Sequence, residues 1–272
     1  MTDRRRLLAL AALAGMLALS GCTGLLGGGS VSEERLDADP AGGEYDWNES
    51  VESDLDAHIV IHENATFSAV YAIEGGGIEL FRRDGLGGTN PLDVRAVRYR
   101  YPNGTVITGS ELRERGAVER TRDVVRIDFP GEGDVDGDRI AFTAGSTPKR
   151  FALPTYVTGS YEVVLPPNRR ASLPVFGDFS PRPESTTVDD RNRLHVRWDD
   201  VQTDSVIVQF YLPQDIRIFG GVFALLALVG GGGLLYYRRQ IEALREQREE
   251  LGLDVDTDPD DLGDDGPPPG MR

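Results

Sequence analysis

Residues 218–237 read IFGGVFALLALVGGGGLLYY, a run of 20 residues with no charge. As a helix it would be ~30 Å long, the thickness of a bilayer hydrocarbon core. A surface helix of a soluble domain needs a polar face, and this segment has none. It is therefore read as a transmembrane helix, and the rest of the chain has to be arranged around it. Tyr236 and Tyr237 fall where interfacial aromatics belong, and Arg238 and Arg239 follow at once. Positive charge beside a span end favours the cytoplasm, so residues 23–215 are expected outside and residues 238–272 inside. Four glycines at 230–233 would weaken a helix in water but are tolerated in a bilayer, where the backbone must bond internally. Gly220 with Ala224, and Ala227 with Gly231, have the small-xxx-small spacing that lets two helices approach closely. A homodimer through this face is the corresponding expectation.

The amino terminus carries a second signal. Arg4, Arg5 and Arg6 precede an apolar stretch at 7–19, followed by Leu19-Ser20-Gly21-Cys22. That stretch has the length of a signal-peptide core and is short for a membrane span. Leu-Ser-Gly-Cys matches a lipobox, so residues 1–21 are expected to be removed and Cys22 lipidated. Arg4-Arg5 with Leu7-Leu8 also fits a twin-arginine export signal, which would carry an already folded domain. Cys22 is the chain's single cysteine, so no intrachain disulfide can form.

Charge narrows the classes of function. The chain carries a formal −16, and only one of its 29 basic residues is a lysine, Lys149. Between residues 23 and 215 there are 33 acids and 20 bases. Such a surface argues against nucleic acid, which is bound through basic patches that displace counterions. Aspartate-rich, lysine-poor usage instead fits a salt-adapted organism. Sequons occur at Asn48, Asn64 and Asn103, all in the expected external part, and make these candidate N-glycosylation sites.

The external part reads as mainly β. Residues 22–56, glycine-rich and then acidic, are expected to be a flexible tether; Trp47, beside Tyr45, is either docked or a solvated linker aromatic. From residue 57 the pattern alternates with period 2, with Phe67, Tyr71 and Ile73 on one face. Val97, Tyr99 and Tyr101 alternate with Arg98 and Arg100, and Pro102-Asn103-Gly104 supplies a hairpin turn. Short strands continue at roughly ten-residue spacing, including 161–165, 172–176, 186–188, 194–198 and 205–212, while 111–122 fits a helix or a hairpin arm. The expectation is an antiparallel β-sandwich-like ectodomain. Two modules are favoured, 57–147 and a membrane-proximal 148–215 with 148–154 as hinge; one larger sandwich is the alternative. Residues 238–253 should extend the membrane helix into the cytoplasm. Residues 254–272 hold seven aspartates and four prolines and are expected to be disordered.

Residues capable of chemistry are sparse. Asp134, Asp136 and Asp138 alternate as calcium-binding loops do, but the glycine of an EF-hand loop is misplaced and Gly145 stands where its terminal glutamate belongs, so a solvated turn is expected. His58 and His62 would lie ~13 Å apart along a strand, too far to share a zinc ion. His195 stands alone on its strand. All three read as structural or surface histidines. There is no nucleophile elbow and no phosphate loop. No catalytic, cofactor-binding or metal residue is assigned.

The chain resembles an uncharacterised family of haloarchaeal membrane-anchored proteins, a domain of unknown function. The resemblance rests on the lipobox at Cys22, on Glu44-Tyr45-Asp46-Trp47-Asn48 and on Arg82-Arg83-Asp84-Gly85-Leu86-Gly87-Gly88. It rests also on Val97-Arg98-Tyr99-Arg100-Tyr101-Pro102-Asn103-Gly104-Thr105, Tyr161-Glu162-Val163-Val164-Leu165-Pro166-Pro167 and Tyr236-Tyr237-Arg238-Arg239-Gln240-Ile241. It implies a compartment and a class, and brings no activity with it. The functional expectation is a non-enzymatic cell-surface protein with an external interaction or structural domain. Its partners would be membrane lipids and an envelope or membrane protein. An accessory subunit of a membrane complex, or an envelope hydrolase, are the other readings.

Overall fold

A computed structural model describes residues 29–73, 75–130, 137–173 and 176–251. The expectations for the signal peptide, Cys22, the start of the tether, Asp134 and Asp136, and the acidic tail lie outside those residues. The chain divides at Pro213 into two compact units.

The first unit is mainly β. Among the described residues its strands are, in chain order, β1 (Ala57–Ile61), β2 (Thr66–Ala72), β3 (Gly77–Arg83), β4 (Thr89–Pro91), β5 (Arg95–Arg100), β6 (Val106–Thr108), β7 (Ala117–Arg120), β8 (Val125–Asp128), β9 (Arg139–Gly145), β10 (Arg150–Pro154), β11 (Gly159–Val164), β12 (Asp178–Ser180), β13 (Ser185–Val188), β14 (Leu194–Val201) and β15 (Ser205–Gln209). Short helices α1 (Glu33–Leu36), α2 (Trp47–Glu52) and α3 (Gly109–Arg115) accompany them. Eight strands form the principal sheet, in the order β13-β14-β11-β1-β2-β9-β5-β6; β4-β3-β8-β7 and β10-β15-β12 form two smaller sheets. All pairs are antiparallel except β1 with β11, which run parallel.

That parallel pair overturns the expected two modules. β1 belongs to the first stretch and β11 to the second, yet Ala57 to Val60 pair in register with Tyr161 to Val164. One core cluster draws on all three sheets, with Phe67 of β2 edge-on to Phe151 of β10 at 5.3 Å. The hinge expected at 148–154 is largely strand β10, paired with β15. Proline at both ends suggested a break, but Phe151 and Leu153 alternate inward. The strand expected at 172–176 is likewise displaced, to β12.

Burial explains a second correction. Several strands of the smaller sheets alternate, as in β8 with Val125 and Ile127 inside and Arg126 and Asp128 outside. Central β2 and β9 are buried at successive residues, so both faces of the principal sheet are covered there. The smaller sheets cover one face. Much of the other is covered by residues 30–56, the segment expected to be a tether. Val31, Leu36, Tyr45 and Leu55 are all buried, each worth roughly 1.5–3 kcal/mol before ordering costs. Trp47 is docked, edge-on to Tyr45 at 5.8 Å and with the Arg100 guanidinium 5.9 Å from its ring. Low hydrophobicity made this strap look solvated, but part of its binding runs through backbone carbonyls. Arg98 donates to the carbonyls of Leu36, Asp37 and Ala38, and Arg139 to Leu55.

The segment 111–122 resolves into α3 and then β7. A capping box links Thr108 and Glu111, and Gly109 packs where a Cβ would meet Leu36 and Val97 at 2.9 Å. The second unit is dominated by α4 (Pro213–Glu250), which opens on proline, a residue favoured at the first helical position. Residues 213–217, expected as a connector, are already helical, and 238–250 continue the same helix. The helix is long and apolar enough to cross a membrane, and none of its apolar window is buried.

Candidate functional site

The most unusual chemistry lies on the outer face of the principal sheet, at the half the strap leaves to β11 and β14. In β1, Ala57, Ile59 and Ile61 enter the core cluster, so alternation turns His58 to the opposite face. The parallel register sets His58 beside Glu162. The antiparallel register of β11 with β14 sets Val164 opposite His195, one step diagonal to Glu162. The β13–β14 turn then brings Asp189 and Arg193 to the same place.

The result is a chain of alternating bases and acids. His58 Nδ1 lies 3.5 Å from Glu162 Oε2, and His195 Nδ1 lies 3.1 Å from Glu162 Oε1. His195 Nε2 is 3.3 Å from Asp189 Oδ2, which also accepts from Arg193 Nε at 2.7 Å. Asp189 Oδ1 accepts the Arg193 backbone N–H at 2.8 Å, which fixes the turn. His58 is 3 % exposed and neither of its ring nitrogens has an aligned hydrogen bond; Glu162 Oε2 has none either. The 3.5 Å approach is electrostatic contact without a formed bond.

Burial and charge set opposite protonation tendencies along this chain. Burial lowers the His58 pKa, against the attraction of Glu162, Asp46 and Glu49. The Glu162 hydrogen bond raises His195, against its own partial burial. Burial alone would raise Glu162, but the His195 hydrogen bond and the charges of His58, His195 and Arg197 hold it below the ordinary carboxylate value. Asp189 is likewise held well below that value, its desolvation outweighed by Arg193 and His195. At neutral pH the inner histidine is therefore neutral, while the outer one carries a proton more readily than a free imidazole. The members of the chain include no hydroxyl or thiol nucleophile. Cavities of about 250, 530 and 150 Å³ are lined by other residues. What the arrangement can do is hold a proton and clasp β1, β11, β14 and the 189–193 turn together.

The remaining sequence-derived positions are dispersed. Asn48 is exposed on α2, Asn64 in the β1–β2 turn and Asn103 in the turn before β6. Asn64 Oδ1 accepts from the Thr66 hydroxyl at 2.6 Å and Asn103 Oδ1 from the Thr105 N–H at 2.9 Å. His62 shares a 2.8 Å hydrogen bond with Ser68 and stands apart from His58. Asp138 is buried and accepts from the Tyr99 hydroxyl at 2.5 Å. Among the described residues no three His, Cys, Asp or Glu side chains gather as a metal site. Gly220, Ala224, Ala227 and Gly231 lie exposed on α4. His195, expected to be solitary, instead has two carboxylate partners. The signal that could have found them is weak: Ala57-His58-Ile59-Val60 and Tyr161-Glu162-Val163-Val164 each carry one His or Glu at the second place of an otherwise apolar or aromatic run.

The match to a family model covers residues 53–256, from the end of the strap through both units. The chain belongs to DUF5803, a family of unknown function. The matched region includes His58, Glu162, Asp189, Arg193 and His195 together with the apolar helix, so clasp and helix fall within one family architecture. A comparison with curated proteins found no match.

Proposed function

We propose that this protein is a non-enzymatic component of the cell surface of a salt-adapted, haloarchaeal-type organism. In this reading it is anchored by one membrane-spanning helix and by lipid at Cys22, and holds its β unit outside as an interaction or structural domain. The observation that carries the proposal is the bare apolar surface of α4. Ile218, Phe219, Val222, Phe223, Leu225, Leu226, Leu228 and Val229 are all more than half exposed, far beyond the apolar patches soluble monomers leave to water. Arg238 and Arg239 at the far end favour an internal tail, and the exposed sequons favour an external β unit. The clasp supports a binding or structural role over turnover, because its polar groups are directed at one another. Partners of this class are membrane lipids and an envelope or membrane protein; nucleic acid is disfavoured by charge.

The test is proteolysis of intact cells or right-side-out vesicles, followed by cross-linking and affinity capture with a Cys22→Ser control. Digestion of the β unit with protection of residues 238–272, and a stoichiometric protein partner, are expected. Protection of the β unit would refute the orientation. Capture of the chain alone would refute the assembly role.

A further inference from the structure

We propose that strand β13 is an open edge to which β13 of a second copy of this chain adds, antiparallel and about a two-fold axis at Thr186. The Asp189 N–H donates to the Arg193 carbonyl at 3.0 Å. Hydrogen-bonded pairs alternate along an antiparallel ladder, so Thr187 and Ser185 also face β14, opposite His195 and Arg197. Thr186 and Val188 therefore turn their N–H and C=O groups away from β14, to a side where the sheet order places no strand. Among the described residues nothing bonds to those groups. An unpaired edge is a template for another strand, and proteins ordinarily block it. The other five edges of the three sheets are blocked. Thr108 of β6 gives its N–H to Glu111 Oε2 at 2.9 Å, and Phe179 of β12 gives its own to Asp178 Oδ1 at 2.9 Å. β4 ends on Pro91, which has no N–H. β10 ends on Pro154, and its Arg150 N–H is taken by the Thr147 carbonyl. β7 is bridged at Glu119 by Ser30 of the strap. β13 has none of these devices. Ser185-Thr186-Thr187-Val188 holds no proline and no charge, in a chain of which 27 % is charged, and all four residues are exposed. Its threonines and valine favour an extended backbone.

Charge selects a second copy as the occupant. Arg182 and Asp190 flank the edge at equal distances from Thr186 in the chain. Among the described residues neither side chain has an ion pair or hydrogen bond. A two-fold axis at Thr186 makes the contact isologous and sets each residue opposite the one equally far on the other side. The two Thr186 residues then exchange backbone hydrogen bonds, and each Val188 meets Glu184 of the second copy. Each Arg182 meets Asp190 of the second copy, so both unpaired charges are satisfied twice. The remaining charges do not oppose this register. Glu184 Oε2 is held by the Asp199 N–H at 3.2 Å, Asp189 is paired with Arg193, and Arg191 falls opposite Pro181. An axis one residue further on, at Thr187, would instead face Glu184 with Asp190, and like charges set opposite one another are destabilising. The contact is small beside the ~1,000 Å² of a stable interface. The pairing is therefore weak between free molecules and strengthens wherever copies are held close together. It goes beyond the membrane reading and does not depend on it.

The experiment is a cysteine scan of the full chain in micelles, in a Cys22→Ser background so that each variant has one thiol. Ser185→Cys, Thr186→Cys, Thr187→Cys and Val188→Cys are oxidised in turn, and the disulfide-linked dimer is quantified. Facing residues of a hydrogen-bonded pair have Cα atoms ~5.5 Å apart, within reach of a disulfide. In this register Ser185, Thr187 and Val188 each lie ~7 Å or more from their own copies, beyond that reach. A peak at Thr186→Cys is expected. Arg182→Asp turns both attractive pairs repulsive and should weaken association about tenfold; adding Asp190→Arg should restore it. Thr186→Pro removes an N–H that β14 does not use, so sedimentation in the Cys22→Ser background should show a shift toward monomer. Equal yields at all four positions, which is what random collision or pairing through α4 alone would give, would overturn the proposal. A peak at Thr187→Cys would overturn the axis at Thr186. An undiminished dimer in Thr186→Pro at an unchanged melting temperature would overturn the edge itself. Should that proline variant fail to fold, the charge exchange between the exposed Arg182 and Asp190 decides alone: no recovery in the double variant would refute the pairing.

Discussion

Replacing Glu162 by glutamine tests the clasp at its centre. The side chain is 10 % exposed and touches both histidines, His195 Nδ1 at 3.1 Å and His58 Nδ1 at 3.5 Å. Losing one charge-assisted hydrogen bond in this setting costs about 1.5–3 kcal/mol. The pH dependence is the sharper signature, because the two histidines respond in opposite senses. His195 has a raised folded pKa, so its contribution is complete below its unfolded value of about 6.5 and is lost as pH rises through the folded value. Glu162 is the first cause of that rise, so Glu162→Gln should flatten the loss of stability above pH ~6.5. His58 has a lowered folded pKa, so its contribution is present above ~6.5 and is lost on acidification. Glu162 opposes that lowering, so its removal should make the acid-side loss steeper. Urea unfolding of the full chain in micelles, read by tryptophan fluorescence at pH 5.5 to 8.5, measures both arms. Trp198, buried on the same strand as His195, reports on this region. A variant within ~0.5 kcal/mol of wild type, with the same slope on both sides of neutrality, would refute the reasoning.

Gly109→Ala drives a methyl to 2.9 Å from Leu36 and Val97; a destabilisation of about 1–3 kcal/mol is expected in the same unfolding assay, and no change would mean that the strap gives way freely. Tyr45→Phe removes a hydroxyl that donates to the Ala96 carbonyl at 2.6 Å and meets Thr143 Oγ1 at 3.1 Å. The cost should be about 1–3 kcal/mol, with faster hydrogen exchange in residues 38–52. Leucine at Ala227 and Gly231 together should abolish a cross-linked dimer in membranes, because bulk at a small-residue face separates the helices; a persistent dimer band would remove that face from consideration.

The parts of the fold legible in sequence were those controlled by neighbours along the chain. Alternation at Phe67, Tyr71 and Ile73 marked β2, Asn103-Gly104 marked the β5–β6 hairpin, and the uncharged run marked α4. What escaped depended on distant pairing or on the backbone. The parallel β1–β11 contact joins Ala57 to Tyr161 across about a hundred residues, and no local period encodes such a pairing. Without it His58, Glu162 and His195 are three unrelated polar residues on three strands. The strap escaped for a different reason: its few apolar residues are spread out, and many of its arginine contacts, such as those of Arg98, end on carbonyls that every residue possesses. α3 was ambiguous because charge alternation in Glu111-Leu112-Arg113-Glu114 fits either structure until the Thr108 capping box decides it.

Docking of the strap changes what anchoring at both ends would mean. A tether of residues 22–56 would let the β unit roam far from an acyl chain on Cys22. Ser30 already pairs with Glu119, so only residues 23–29 separate a lipidated Cys22 from the folded unit, a reach of at most ~25 Å. At the other end Pro213 opens the helix directly. Were both anchors present, a unit on two such short leads would have less freedom to turn than one on a tether of roughly 35 residues. Insertion of a flexible 30-residue linker after Gly24 would restore that freedom without touching the β unit or α4. On this argument it should spread photolabelling of the β unit by headgroup-reactive lipid over more of its surface in wild-type cells but leave the labelling unchanged in a Cys22→Ser background, where the amino-terminal lead is already cut. Equal labelling with and without the linker in wild type would show that the carboxy-terminal helix alone sets the orientation.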